Sequence, residues 1–127
     1  MGRAASTGPI AVVVEDDEAV RDFAAAILEE TDLDVIECGS AEDALAVMRR
    51  HGPDVALLFT EMALSGDMDG VALAQTVDRN WPDVRVVVTS PSGPGRSLPD
   101  HAVYMPKPWR PLDVLVEAER AAIGAAA

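Results

Sequence analysis

The chain has 127 residues, enough for one domain with a core of its own. Apolar residues make up 49% of it, which argues against disorder, and a formal charge of −12 excludes direct binding to nucleic acid or to an anionic membrane. Cys38 stands alone, so there is neither a disulfide framework nor a cysteine metal cluster, which fits a reducing, cytoplasmic setting.

Residues 1–8 read as a flexible tail. They lack the long apolar region of a signal peptide, and nothing further along reaches the length of a membrane span. Met1 to Ser6 also fits the loose N-myristoylation pattern, which carries little weight beside the frayed-tail reading. Ile10 to Val14 is a β-branched run without alternation, the pattern of a strand buried on both faces. Glu15-Asp16-Asp17-Glu18 follows, and Val20, Phe23, Ala24, Ile27 and Leu28 recur at the spacing of one helix face. Val35-Ile36 makes a short second strand. Ser40 predicts a helix N-cap with Asp43 three residues on, and Ala41, Ala44, Leu45 and Met48 its buried stripe. His51-Gly52-Pro53 stops that helix.

The apolar run Val55 to Phe59 predicts a third buried strand that carries Glu61 into a loop ending at Asp69-Gly70. Val71, Ala74 and Val77 give a helix that stops near Trp81-Pro82, and Val84 to Val88 a fourth strand reaching Thr89-Ser90. Residues 91–100 then hold three prolines and two glycines, so the helix expected between strands four and five is reduced or absent. The segment reads equally as a recognition surface or as a tolerated deletion. Ala102 to Met105 predicts the fifth strand; Leu112, Leu115, Val116 and Ile123 mark the last helix, beginning near Pro111. The domain spans 9–124, with 125–127 frayed. Strands alternating with helices predict a doubly wound α/β fold, a five-stranded parallel sheet in the flavodoxin-like order 2-1-3-4-5.

In such a sheet, chemistry collects beyond the carboxyl ends of the strands. Glu15-Asp16, Glu61, Thr89 and Lys107 all fall there. Carboxylates crowded together repel unless a cation intervenes. An oxygen-only, partly open set suits Mg²⁺. Lys107 adds a point charge and Thr89 a hydroxyl, making a site for a phosphoryl-like group. A competing arrangement pairs Glu61 with Lys107 and leaves the metal site half-formed. No GxxxxGK[ST] or GxGxxG is present, so Gly93 and Gly95 do not indicate a nucleotide cradle. Pro108-Trp109-Arg110-Pro111 matches PxxP, but a strand-to-helix junction explains its prolines better.

With Val14-Glu15-Asp16-Asp17 and Arg21, the segment from Asp54 to Asp69-Gly70, Val88-Thr89-Ser90 and Met105-Pro106-Lys107-Pro108, the chain resembles a response-regulator receiver domain of two-component signalling over nearly its whole length. The resemblance implies that Glu15 and Asp16 form the acidic pair that holds Mg²⁺, with Asp16 the direct ligand and Glu61 and the backbone carbonyl of Ala63 completing the set. It also implies that Thr89 is the switch hydroxyl, Lys107 the phosphate-contacting lysine and Tyr104 the aromatic switch, although Tyr104 reads equally as a plain edge-strand residue. The Lys107-Pro108 bond is expected to be cis. The departures are Glu61, where the family carries the phosphoacceptor aspartate, Leu64-Ser65 in place of Met-Pro, and a loop to Asp69-Gly70 that is one residue longer than the commonest form.

A side chain one methylene longer misplaces the reacting oxygen, and an error of about 1 Å costs on the order of a hundredfold in rate. The reading is therefore a stand-alone, non-enzymatic receiver-like domain whose phosphotransfer is impaired or constitutively mimicked by Glu61. It would act through contacts with a histidine kinase or phosphotransfer protein and an unknown output protein, as a monomer or weak homodimer. Two alternatives stand beside it: a phosphorylatable receiver with an engineered Asp-to-Glu change, and a Mg²⁺-dependent phosphoryl-processing enzyme.

Overall fold

The computed structural model describes residues 8–94 and 97–126. The expected N-terminal tail and myristoylation pattern fall almost wholly outside the described residues. Five strands, β1 (Ile10–Val14), β2 (Asp34–Cys38), β3 (Val55–Glu61), β4 (Arg85–Ser90) and β5 (Val103–Pro106), form one parallel sheet in the order β2-β1-β3-β4-β5. The helices are α1 (Glu18–Leu28), α2 (Ala41–His51), α3 (Gly70–Asn80) and α4 (Pro111–Ala126), with a 3-10 turn at Gly52–Asp54. Among the described residues no helix lies between β4 and β5, where the Pro/Gly segment removes donors and helical backbone. This is the flavodoxin-like order that the alternation of elements predicts.

Alternating side chains of each central strand feed two cores. Ala11, Val13, Leu57 and Phe59 pack with α1 and α4, while Val12, Val14 and Leu58 pack with α2 and α3. Burial on both faces is why these strands read as continuous apolar runs. Three helices open on side-chain caps: Asp17 Oδ1 accepts from Val20 N (3.1 Å), Ser40 Oγ from Asp43 N (3.1 Å) and Asp69 Oδ1 from Ala72 N (2.9 Å).

Two helix phases differ from the sequence reading. Phe23 is not in the core: α1 buries Ala24, Ala25, Ile27 and Leu28, and Phe23 lies outside them, stacked on Trp109 at a centroid distance of 5.5 Å. In α4 the core face is Val114, Ala118 and Ala121, flanked by Leu115, so Leu112, Val116 and Ile123 are exposed. Small residues let α4 approach the sheet and α1 closely, and the larger ones turn outward. The helix also continues to Ala126, beyond the expected end at 124, as its alanines favour.

Candidate functional site

The carboxyl ends of β1, β3 and β4, with the loop after β5, bring Glu15, Glu61, Thr89 and Lys107 together. Register sets this up: Val14 lies beside Thr60, and Glu61 beside Thr89. Glu15, Glu61 and Thr89 are buried. The Lys107-Pro108 bond is cis. The Lys107 ammonium stands between the two glutamates, 2.9 Å from Glu15 Oε1 and in direct contact with Glu61 Oε1. The other Glu61 oxygen, Oε2, accepts from the Ala63 N–H at 3.4 Å.

Glu15 is held further by the Asp17 N–H on Oε2 (3.1 Å), and Arg21 Nη1 donates to its backbone carbonyl (2.9 Å). Burial pushes the Glu15 carboxyl above its ordinary pKa, although the hydrogen bond from Lys107 pulls the other way. For Lys107, burial opposes the charged form, but hydrogen bonds and charge from Glu61 and Glu15 outweigh it and raise the ammonium above its ordinary value. Asp16 is exposed, and its Oδ2 accepts from Ser65 N at 3.2 Å. Burial raises its pKa, but hydrogen bonds, from the Ser65 N–H first and then from Glu15 and the Ser65 side chain, together outweigh it and hold Asp16 below its ordinary value.

The loop after β3 is fastened at both ends of its span. Glu42 Oε2 accepts from Met68 N at 3.0 Å, opposite the Asp16 contact, and Gly66 takes φ +104° between them. Glu42 escaped the sequence reading, because a polar residue in the first turn of α2 shows no signal for a contact 26 residues away. Thr89 Oγ1 is buried and has no hydrogen-bond partner among the described residues. Tyr104 Oη donates to the Ser90 carbonyl at 3.0 Å, a carbonyl that also accepts from Lys107 N at 2.9 Å. Tyr104 therefore braces the turn into β5 rather than reaching Thr89.

The expected Mg²⁺ set of Glu15, Asp16, Glu61 and the Ala63 carbonyl is not gathered around one point. Among the described residues no group of three or more His, Cys, Asp and Glu side chains is placed to hold a metal ion. The physical reason is that Lys107 binds Glu15 and Glu61 at once, while Asp16 Oδ2 accepts from Ser65 N. As placed, these residues do not fit the cation.

A parallel sheet presenting acids, a hydroxyl and a lysine at its carboxyl edge defines the class of signalling module that receives phosphoryl groups. The model of the response regulator receiver domain matches residues 11–98, and the chain belongs to that family, the receiver domains of two-component signalling. Among curated proteins it is 28% identical over 103 residues to the sensor kinase CckA of Brucella abortus (strain 2308), a match covering 77% of this chain and 11% of that much longer protein. Among solved structures it is similar to the receiver domain of NtrX from Brucella abortus, with 27% identity, a TM-score of 0.75, and coverage of 89% of this chain and 98% of the other. The signal receiver domain of an HD domain-containing protein from Pseudomonas fluorescens Pf-5 shares the fold at a TM-score of 0.80, with 18% identity and coverage of 94% and 98%. Receiver domains of this kind interact with histidine kinases and commonly bind Mg²⁺. No helix among the described residues is long and apolar enough to cross a membrane.

Proposed function

We propose that this receiver domain is a pseudo-receiver: Glu61 stands at the phosphoacceptor position, and its pairing with Lys107 holds the site in one state. The observation that carries the reading is the direct contact of Lys107 Nζ with Glu61 Oε1 while the same ammonium holds Glu15. A carboxylate engaged in this way, and carried one methylene further from the strand than an aspartate, is poorly placed for in-line attack on a phosphoryl donor. Lys107 already offsets part of the negative charge that a divalent ion would otherwise meet. The domain then acts in the cytoplasm as a non-enzymatic module, through protein contacts with a histidine kinase or phosphotransfer protein and an output protein.

The test is to incubate the chain and its Glu61→Asp variant with Mg²⁺ and acetyl phosphate and to read intact mass. Only the Asp variant is expected to gain a phosphoryl group that alkali and hydroxylamine remove, as they remove an acyl phosphate. If the chain with Glu61 gains one, the pseudo-receiver reading is wrong. If neither does, the lock lies in the loop after β3 rather than in Glu61.

A further inference from the structure

The loop from β3 to α3 is closed at its base, where the Gly70 N–H donates to the Met62 carbonyl at 2.8 Å. Between these ends Leu64 and Met68 are half-buried and pack on the α2–α3 core, while Ser65, Gly66 and Asp67 are exposed. Two carboxylates from two other elements hold that exposed tip. Asp16, just ahead of α1, accepts from the Ser65 N–H (3.2 Å), and Glu42, in the first turn of α2, accepts from the Met68 N–H (3.0 Å). Gly66 lies between the two, with φ +104°, and a Cβ on it would come within 3.1 Å of Glu42 Oε1. The loop therefore lies directly against the Glu42 carboxylate, where only glycine fits without strain.

Neither bond serves the core. Asp16 and Glu42 are exposed, and water would solvate both charges, so what the two bonds set is the position of the loop. Ser65 and Met68 are three positions apart, a stretch that spans about 10 Å even when fully extended. Movement at one fastening is therefore felt at the other. Asp16 belongs to the set from which a divalent cation would be held, and its Oδ2 is committed to the loop instead.

We infer that the loop after β3 is a strap, fastened by Glu42 as well as by Asp16, and that this strap keeps Asp16 on the Ser65 N–H and away from a divalent cation. Glu42 is a positioning residue, acting on Asp16 through the residues between Ser65 and Met68. The sign of its effect separates this role from plain electrostatics. An acid near the approach of a cation attracts it, so by charge alone the loss of Glu42 weakens cation binding. As the loss of a fastening, the same change strengthens it. The inference rests on the reading above only in taking the carboxyl edge of the sheet as the site. That reading is tested at Glu61 with a phosphodonor and this one at Glu42 with Mg²⁺ alone, so failure of either is read separately.

The experiment titrates MgCl₂ into the full chain and into its Glu42→Ala, Glu42→Gln and Asp43→Ala variants at constant ionic strength. Backbone amide shifts give the affinity, and solvent exchange of the Ser65 amide is measured before metal is added. Both positions are exposed in the first turn of α2, where alanine suits the helix, so the fold is retained. Glu42→Ala is expected to bind Mg²⁺ about fivefold more tightly, equivalent to about 1 kcal/mol, and to speed exchange at Ser65. Glu42→Gln keeps an acceptor oxygen and should fall between. Asp43→Ala removes the same charge one residue away and should bind no more tightly than the unaltered chain. Equal or weaker binding in Glu42→Ala, a gain shared by Asp43→Ala, unchanged exchange at Ser65, or no saturable response to Mg²⁺ in any of the four proteins would each overturn the proposal.

Discussion

Lys107 carries the electrostatics of the site alone: one ammonium, itself only partly exposed, faces two buried carboxylates. Removing one member of such a cluster leaves charges without compensation, which typically costs about 3–5 kcal/mol. Lys107→Met should therefore lower the unfolding free energy by about that much in urea titrations. Adding Glu61→Gln should restore part of the loss, because it removes one of the two repelling carboxylates. If the double variant is no more stable than the single one, the glutamates are not in electrostatic contact. Cys38, elsewhere in the core, shows burial prevailing: its thiol is pushed from 9.0 up to about 11, chiefly by desolvation, with Asp43 adding to it and Arg21 opposing. Its folded-state pKa lies above the unfolded value, so its contribution to stability is complete below about pH 9 and is lost as pH rises toward 11. Alkylation of native protein at pH 8 should accordingly be at least a hundredfold slower than in urea, since two pKa units remove about that share of thiolate.

At the scale of elements, the glycines at the start of α3 and near the end of α4 meet opposite surroundings. A Cβ on Gly70 would lie 1.8 Å from the Glu61 carbonyl oxygen, backbone that cannot step aside without moving the end of β3. A Cβ on Gly124 meets nothing within 4 Å. Gly70→Ala should destabilise the fold and displace Glu61, whereas Gly124→Ala should gain about 0.5–1 kcal/mol from helix propensity. Thermal unfolding of the two variants, with opposite shifts in Tm, checks the pair. The same helices show where sequence periodicity stops informing. In α4, one stripe through Leu112, Leu115, Val116 and Ile123 competes with another through Val114, Ala118 and Ala121. Hydropathy favours the first, but close packing against α1 selects the second, whose alanines fit the narrow gap. Phe23 lies at the margin of its stripe in the same way, and only the position of Trp109 shows that it stacks outside the core. The strands and the Ser40 cap were legible because burial on both faces and a side-chain oxygen three residues ahead of its partner leave local patterns, whereas Asp17 and Asp69 were read only as an acid run and a loop end.

For the whole molecule, the order of the strands was enough to place Glu15, Glu61, Thr89 and Lys107 on one edge, because a parallel sheet sends every strand end to the same side. What the sequence left open was which cation the carboxylates face, a choice made over a few ångströms of side-chain reach. Glu61 and Lys107 meet here, so the acids close on an ammonium rather than gathering around a metal-sized point. The bond from Lys107 to Glu15 bridges 92 positions of the chain, from beyond β5 to just after β1. Contacts of such separation form only after the intervening loops are closed. On the ribosome, both glutamates emerge before the lysine that pairs with them. Assembly of the site thus reports completion of the domain: a nascent or truncated chain lacking β5 and its lysine can present the acids but not the locked state.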